Sequence, residues 1–155
     1  MSIKGRIYIA GPDVFLPNAV IIGEEYKKIC RKYDFLGLYP LDNEDNFGSK
    51  EIFKGNKTRI DQADIVAANI NSFRGDTMDD GTAWEIGYAY ATKKPIFCYT
   101  NDNRSLIERL GAVDAEGNFV EDFDKPVNLM IAEAATEIVC GSFEDCIKAI
   151  ARRYG

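Results

Sequence analysis

The stretch DDGTAWEIGYAYA, Asp79 to Ala91, places two carboxylates and a glycine ahead of a third carboxylate, Glu85, which opens a largely apolar helical run. A carboxylate so placed can serve as a nucleophile or carry a proton. Thr82 and Glu85 also have the spacing of a capping box, in which an N-cap hydroxyl and a carboxylate at the third helical position satisfy free backbone N–H groups. The two roles are compatible. In a first helical turn the macrodipole and free N–H groups favour the charged form, so Glu85 is expected to be an anion at neutral pH. Trp84, Ile86, Ala89 and Tyr90 are expected to be mostly buried.

The composition narrows the chemistry further. The chain has no histidine, which removes imidazole bases, Ser-His and Cys-His nucleophiles and His-ligated zinc. Acid–base work falls mainly to carboxylates, with Tyr or Lys as assistants. Cys30, Cys98, Cys140 and Cys146 form no C-x-x-C pair and read as buried, reduced thiols. A net charge of −6, with Lys and Arg scattered along the chain, opposes binding to a nucleic-acid polymer. The apolar stretches fall short of the roughly 20 residues that span a bilayer, and the N-terminus lacks the apolar core of a signal peptide. A cytoplasmic protein without membrane contact is expected, with no metal and no cofactor.

The elements that must position Glu85 alternate between strand and helix. RIYIA, Arg6 to Ala10, reads as a first buried strand closed by Gly11-Pro12. A helix follows from about Asn18 to Tyr33, with Ile21, Ile22, Tyr26, Ile29 and Cys30 at helical spacing. Phe35 to Tyr39 is a second strand, and LDNEDNFGS a polar loop after it. Lys50 to Ala63 reads as a helix, Asp64 to Ile70 as a third strand, and Pro95 to Thr100 as a fourth. Asn103 to Leu110 is a short helix, and the long irregular segment GAVDAEGNFVEDFDKP suggests a lid or an exposed connection. Glu137 to Cys140 is a last strand and Phe143 to Tyr154 a terminal helix. At 155 residues this is one α/β domain, residues 1–155, with a flavodoxin-like, doubly wound sheet of five parallel strands and helices on both faces. In such sheets ligands bind beyond the carboxyl ends of the strands, which places GPDVFLPN, LDNE and SFRGDTMDDG around one crevice. GPDVFLPN lacks the glycine pattern of a phosphate cradle, and Asp13 would repel an anion. Pro12 and Phe15 could instead present flat apolar surface to a nucleobase, although Phe15 is equally suited to the core.

YIAGPDVF at Tyr8, PLDNE at Pro40, the Asp64 strand after Asn56, FRGDTMDDGTAWEIGYA at Phe73 and KPVNLM at Lys125 occur in order over nearly the whole chain. Together they resemble the nucleoside 2-deoxyribosyltransferases. The resemblance implies an enzyme that exchanges the base of a 2-deoxyribonucleoside for a free nucleobase, with Glu85 attacking C1 of the sugar and the configuration retained. It implies Asp64 as the proton carrier near the base, Tyr8 as the hydroxyl on the nucleophile, and Asp79 as the group that orients the sugar. Gly11, Pro12 and Phe15 would line the base site. Asn128 and Met130 would be donated from a neighbouring subunit of a homo-oligomer. Glu44 matches a loop position for base contacts, where some relatives carry Gln. Two alternatives remain: a 2-deoxynucleoside 5-monophosphate N-glycosidase, and a non-catalytic nucleoside-binding module. Read without the family, Tyr8 is better taken as a core residue, Asp79 as a turn residue and Asp64 as a strand-start or helix-end residue, while Asn128 is equally a helix N-cap.

Overall fold

In a computed structural model the described residues are 2–42 and 48–155. Five strands alternate with helices: β1 (Gly5–Ala10), α1 (Ala19–Lys32), β2 (Phe35–Leu38), α2 (Ser49–Gln62), β3 (Ile65–Asn69), α3 (Asp80–Ala91) and β4 (Ile96–Thr100). Two short helices, α4 (Leu106–Leu110) and α5 (Leu129–Ala134), precede β5 (Glu137–Cys140) and α6 (Phe143–Tyr154). The sheet is parallel throughout with order β2-β1-β3-β4-β5, the doubly wound arrangement expected from strand–helix alternation.

Strand residues alternate between two cores, and this alternation decides what the site can contain. Ile7, Ile9, Ile65, Ala67, Phe97 and Tyr99 pack with Cys30 of α1 and with Phe143, Cys146, Ile147 and Ile150 of α6. Tyr8, Ala10, Val66, Ala68, Ile96 and Cys98 pack on the opposite face with Ile60 of α2, Ile86 and Ala89 of α3 and Ala132 of α5. Tyr8, completely buried, therefore points toward α2 and α3, not toward α1. The reversal of winding falls between β1 and β3, so the loops leaving their carboxyl ends diverge and leave a crevice.

Several expectations about side chains are corrected. Ile86 and Ala89 are buried, but Trp84 and Tyr90 are exposed, because only one face of α3 meets the sheet. Ile21 is exposed on the outer face of α1, whose contact face holds Ala19, Gly23 and Cys30. Gly23 is required there: a Cβ would lie 2.6 Å from the Tyr39 ring. Cys30, Cys98 and Cys146 are buried free thiols, whereas Cys140 is an exposed one on the edge strand β5. Burial pushes the Cys30 and Cys98 thiols up to about 12. Among the described residues no helix is long and apolar enough to cross a membrane.

Candidate active site

Asp79, not Thr82, caps α3. Its Oδ2 accepts hydrogen bonds from the Thr82 backbone N–H at 2.9 Å and from Thr82 Oγ1 at 2.7 Å. An ionised acceptor at an extended N-cap outcompetes the hydroxyl for this position, so the helix begins at Asp80 and Glu85 lies in the second turn. The capping-box reading of Thr82 and Glu85 is thereby corrected. Glu85 is not needed as a cap and points to the carboxyl end of β1, where Tyr8 donates its hydroxyl proton to Glu85 Oε2.

Partial burial, rather than the helix terminus, dominates the electrostatics of Glu85. Desolvation pushes its carboxyl from 4.5 to about 7, the Tyr8 hydrogen bond opposes the shift, and the neighbouring Asp79 charge adds to it. The expectation of a plain anion at pH 7 is corrected to a group near its midpoint. Tyr8 shifts well upward, through burial first and the Glu85 charge second, so it stays a neutral donor. Asp79 is 8% exposed, and both of its hydrogen bonds use Oδ2. Its Oδ1 makes no hydrogen bond among the described residues.

Above this pair lies a cleft of about 280 Å³ lined by Gly11, Phe15, Pro40, Phe53, Asn56, Asp79, Trp84 and Glu85, with Val14 and Gly81 between them. Three aromatic rings form its walls. Phe15 is 55% exposed, which removes it from the core reading, and it stacks on Phe73 with centroids 5.4 Å apart. The Arg74 guanidinium lies 4.7 Å from the Phe15 centroid and 4.5 Å from that of Phe73, joining the first loop to the β3–α3 loop. Across the cleft, Trp84 meets Phe53 edge-on at 5.1 Å and stacks on Tyr88 at 5.3 Å. Pro12 opens the short 3-10 helix Pro12–Phe15, where a fixed φ and a missing N–H are tolerated, but it does not line the cleft.

The first loop is anchored to the sheet through polar side chains. Asn69 Nδ2 donates to Asp13 Oδ2 at 3.0 Å, and Tyr26 donates to Asp13 Oδ1 at 3.3 Å. Asn69 Oδ1 accepts from the Asn71 backbone at 3.0 Å and from Asn71 Nδ2 at 2.8 Å, and Asn71 Oδ1 accepts from Thr100 Oγ1 at 3.1 Å. Asp13 can only accept when ionised, so its position sets the orientation of both amides along the carboxyl ends of β1, β3 and β4. Asp13 thus faces inward, not toward a ligand. Gly11 allows the close approach: a Cβ there would lie 2.7 Å from Asn69 Cβ and 2.9 Å from Asp13 Oδ2.

The placement of Asp64 contradicts the role expected of it. It precedes β3 at the amino end of the strand, exposed, with Oδ2 accepting the Arg6 N–H at 2.8 Å. Five residues of strand separate it from Asn69 at the other end, roughly 16 Å at strand rise. Asp64 therefore pairs the amino ends of β1 and β3 and is not at the cleft. Asn128 is the N-cap of α5, accepting from the Met130 N–H at 2.9 Å and donating to Glu121 Oε1 at 3.0 Å. Met130 is exposed, and neither residue lines the cleft of its own chain. Glu44 lies outside the described residues. Sequence reasoning passed over Asn56, Phe53 and Trp84 as site residues. The one available signal was Phe53 and Asn56 at i, i+3 on a helix that follows a polar loop, which marks a shared face but not its destination.

A carboxylate held by a tyrosine at the switch point of a doubly wound sheet, beneath aromatic walls, defines an α/β protein with a candidate catalytic cleft. The profile of the nucleoside 2-deoxyribosyltransferase family matches residues 7–130, and the chain belongs to that family. A 2-deoxyribosyltransferase from Leishmania mexicana shares 33% identity, with 97% of this chain and 99% of that one covered and a TM-score of 0.88. An uncharacterized protein of Schizosaccharomyces pombe is 33% identical over 115 residues; the match covers 67% of this chain and 54% of that protein. A CMP N-glycosidase from Clostridium botulinum shares the fold at 14% identity, a TM-score of 0.54, and coverage of 94% of this chain and 97% of that one.

Proposed function

We propose that the protein transfers 2-deoxyribose between nucleobases through a covalent deoxyribosyl ester on Glu85. The observation that carries this reading is the partly buried Glu85 carboxylate, held by Tyr8 beside Asp79 at the floor of an aromatic cleft. Glu85 attacks C1 of the sugar from the face opposite the base, the C1–N bond breaks, and the base departs with the bonding electron pair. A second base then attacks C1, the ester bond breaks back to Glu85, and two inversions leave the β configuration intact. Tyr8 steadies the attacking oxygen, and Asp79 Oδ1 takes a sugar hydroxyl. Phe15, Phe53 and Trp84 sandwich the base. Asn128 and Met130, outside their own cleft, are presented to the cleft of a second copy in a homo-oligomer.

The test is to incubate each 2-deoxyribonucleoside with each free base and separate the products. A new β-nucleoside is expected, with consumption of the donor greatly accelerated by the acceptor base. Free deoxyribose released at the same rate with and without acceptor would make the protein a hydrolase, and an α-nucleoside would exclude the ester.

A further inference from the structure

The turn from Ser72 to Met78 delivers Asp79 to the cleft, and it is closed on itself. Ser72 Oγ donates to the Asp76 carbonyl at 3.0 Å, the Phe73 N–H donates to the Thr77 carbonyl at 2.8 Å, and Ser72 and Met78 form an antiparallel bridge. Arg74, lying on Phe15, ties the turn to the first loop. A second arginine, which does not line the cleft, ties it to the other side. Arg109, partly buried in the last turn of α4, donates Nη1 to the Asp76 carbonyl at 2.9 Å and to Ser72 Oγ at 3.4 Å, and Nη2 to the Pro126 carbonyl at 3.2 Å. All three acceptors are neutral, and among the described residues no carboxylate pairs with this guanidinium. A charged, planar fork spent on two backbone carbonyls fixes the spacing of the two segments that carry them.

From this geometry we infer that Arg109 is a positioning residue for the transfer reaction: by holding the Asp76 carbonyl it fixes the turn that delivers Asp79, and so the direction in which Asp79 Oδ1 meets the sugar hydroxyl. The inference rests on the proposed role of Asp79 and deepens it. Asp79 is held from one side by Thr82, whose N–H and hydroxyl both bond Oδ2. On its other side the chain is extended, and Asp76 lies three residues upstream, so a shift of the Asp76 peptide is carried through Thr77 and Met78 to the carboxylate. A displacement of roughly 1 Å is enough to slow a reaction about 10²-fold where orientation carries the catalysis. Glu85 is placed differently. It sits in the second turn of α3 and is held by Tyr8 from β1, so the nucleophile keeps its position when Arg109 is lost. Arg109 therefore acts on the reaction through Asp79, without touching the substrate.

The experiment is a double-mutant cycle on the full chain, with the donor and acceptor that the wild-type enzyme exchanges fastest. Arg109→Ala is expected to lower kcat/KM for the donor nucleoside about tenfold. Asp79→Asn keeps an acceptor for the helix cap but puts an NH₂ group where Oδ1 stood, and is expected to lower it at least about tenfold. The double variant should stay within about twofold of Asp79→Asn alone, because nothing is left for Arg109 to position. A merely structural loss would instead multiply with that of Asp79→Asn. Arg109→Lys keeps the charge but offers one nitrogen where two carbonyls must be met, so it should remain at least about threefold below wild type. It supplies the same cycle should Arg109→Ala not fold. Wild-type kcat/KM in either Arg109 variant, or losses that multiply in the double variant, would overturn the assignment while leaving transfer and Asp79 in place. Asp79→Asn at the wild-type rate would remove the sugar role on which the inference rests, and absence of transfer by the wild-type chain with every base pair would sink the reaction itself.

Discussion

The two ends of β3 each carry a carboxylate environment within one short strand's reach, and they behave differently. At the amino end Asp64 is exposed and accepts the Arg6 N–H, a bond that joins two strands and faces water. Beyond the carboxyl end Glu85 is partly buried, held by one hydroxyl and pushed upward to about 7 by desolvation and by Asp79. Both are acidic residues in apolar surroundings of the sequence. The difference lies in where the strands deliver them: in a parallel sheet the amino ends lie away from the crevice where the winding reverses, whereas the carboxyl ends open into it.

The comparison breaks first at Glu85. Glu85→Gln keeps the shape and loses the nucleophile, so base exchange measured by chromatography should fall at least about 10³-fold. The same variant tests the burial argument independently. The folded-state value of Glu85 lies above its unfolded value, so the stability it contributes below pH 4.5 is lost as pH rises through about 7. Glu85→Gln should therefore melt about 2–6 °C higher than wild type at pH 8 and show little gain at pH 4. A melting point unchanged at pH 8 would mean that burial does not disfavour the charge.

Tyr8→Phe should lower the rate about tenfold, since it removes a hydrogen bond to an ionised group. Attack requires ionised Glu85, so wild-type activity should rise with pH through about 7. Because the Tyr8 bond holds Glu85 down, its loss should move that rising limb to higher pH. A limb that stayed in place would assign Tyr8 to packing alone. Gly11→Ala is a smaller perturbation, one of anchoring: its Cβ would meet Asn69 and Asp13, and thermal denaturation should show a loss of about 1–3 kcal/mol. The smallest effect belongs to the opposite end of the sheet. Asp64→Asn should leave the transfer rate within about twofold of wild type, and a large loss with folding intact would return Asp64 to the site.

The fate of the expected site residues shows what kind of information each required. Glu85, Tyr8 and Asp79 could be singled out because a carboxylate ahead of an apolar helix, a strand tyrosine and an acidic turn coincided with motifs in the right order, and the structure brings the three side chains together. Asp64 was misread for a physical reason. Position along a strand sets which end of the sheet a side chain occupies, and Asp64 precedes the strand where the cleft follows it. Trp84 was misread because a helix as apolar as α3 gives weak information about which face meets the sheet.

The sequence by itself determined the order of strands and helices, the parallel sheet and the crevice at its carboxyl edge. Those follow from local periodicity, turn residues and the handedness of crossovers, which depend on near neighbours in the chain. Only the tertiary structure decided that Asp79 caps α3 and releases Glu85, that desolvation outweighs the helix terminus at that carboxylate, and that Asn56 shares its cleft. Each of these depends on residues distant in sequence competing for the same hydrogen bond or the same exclusion from water, and no local pattern records the outcome of that competition.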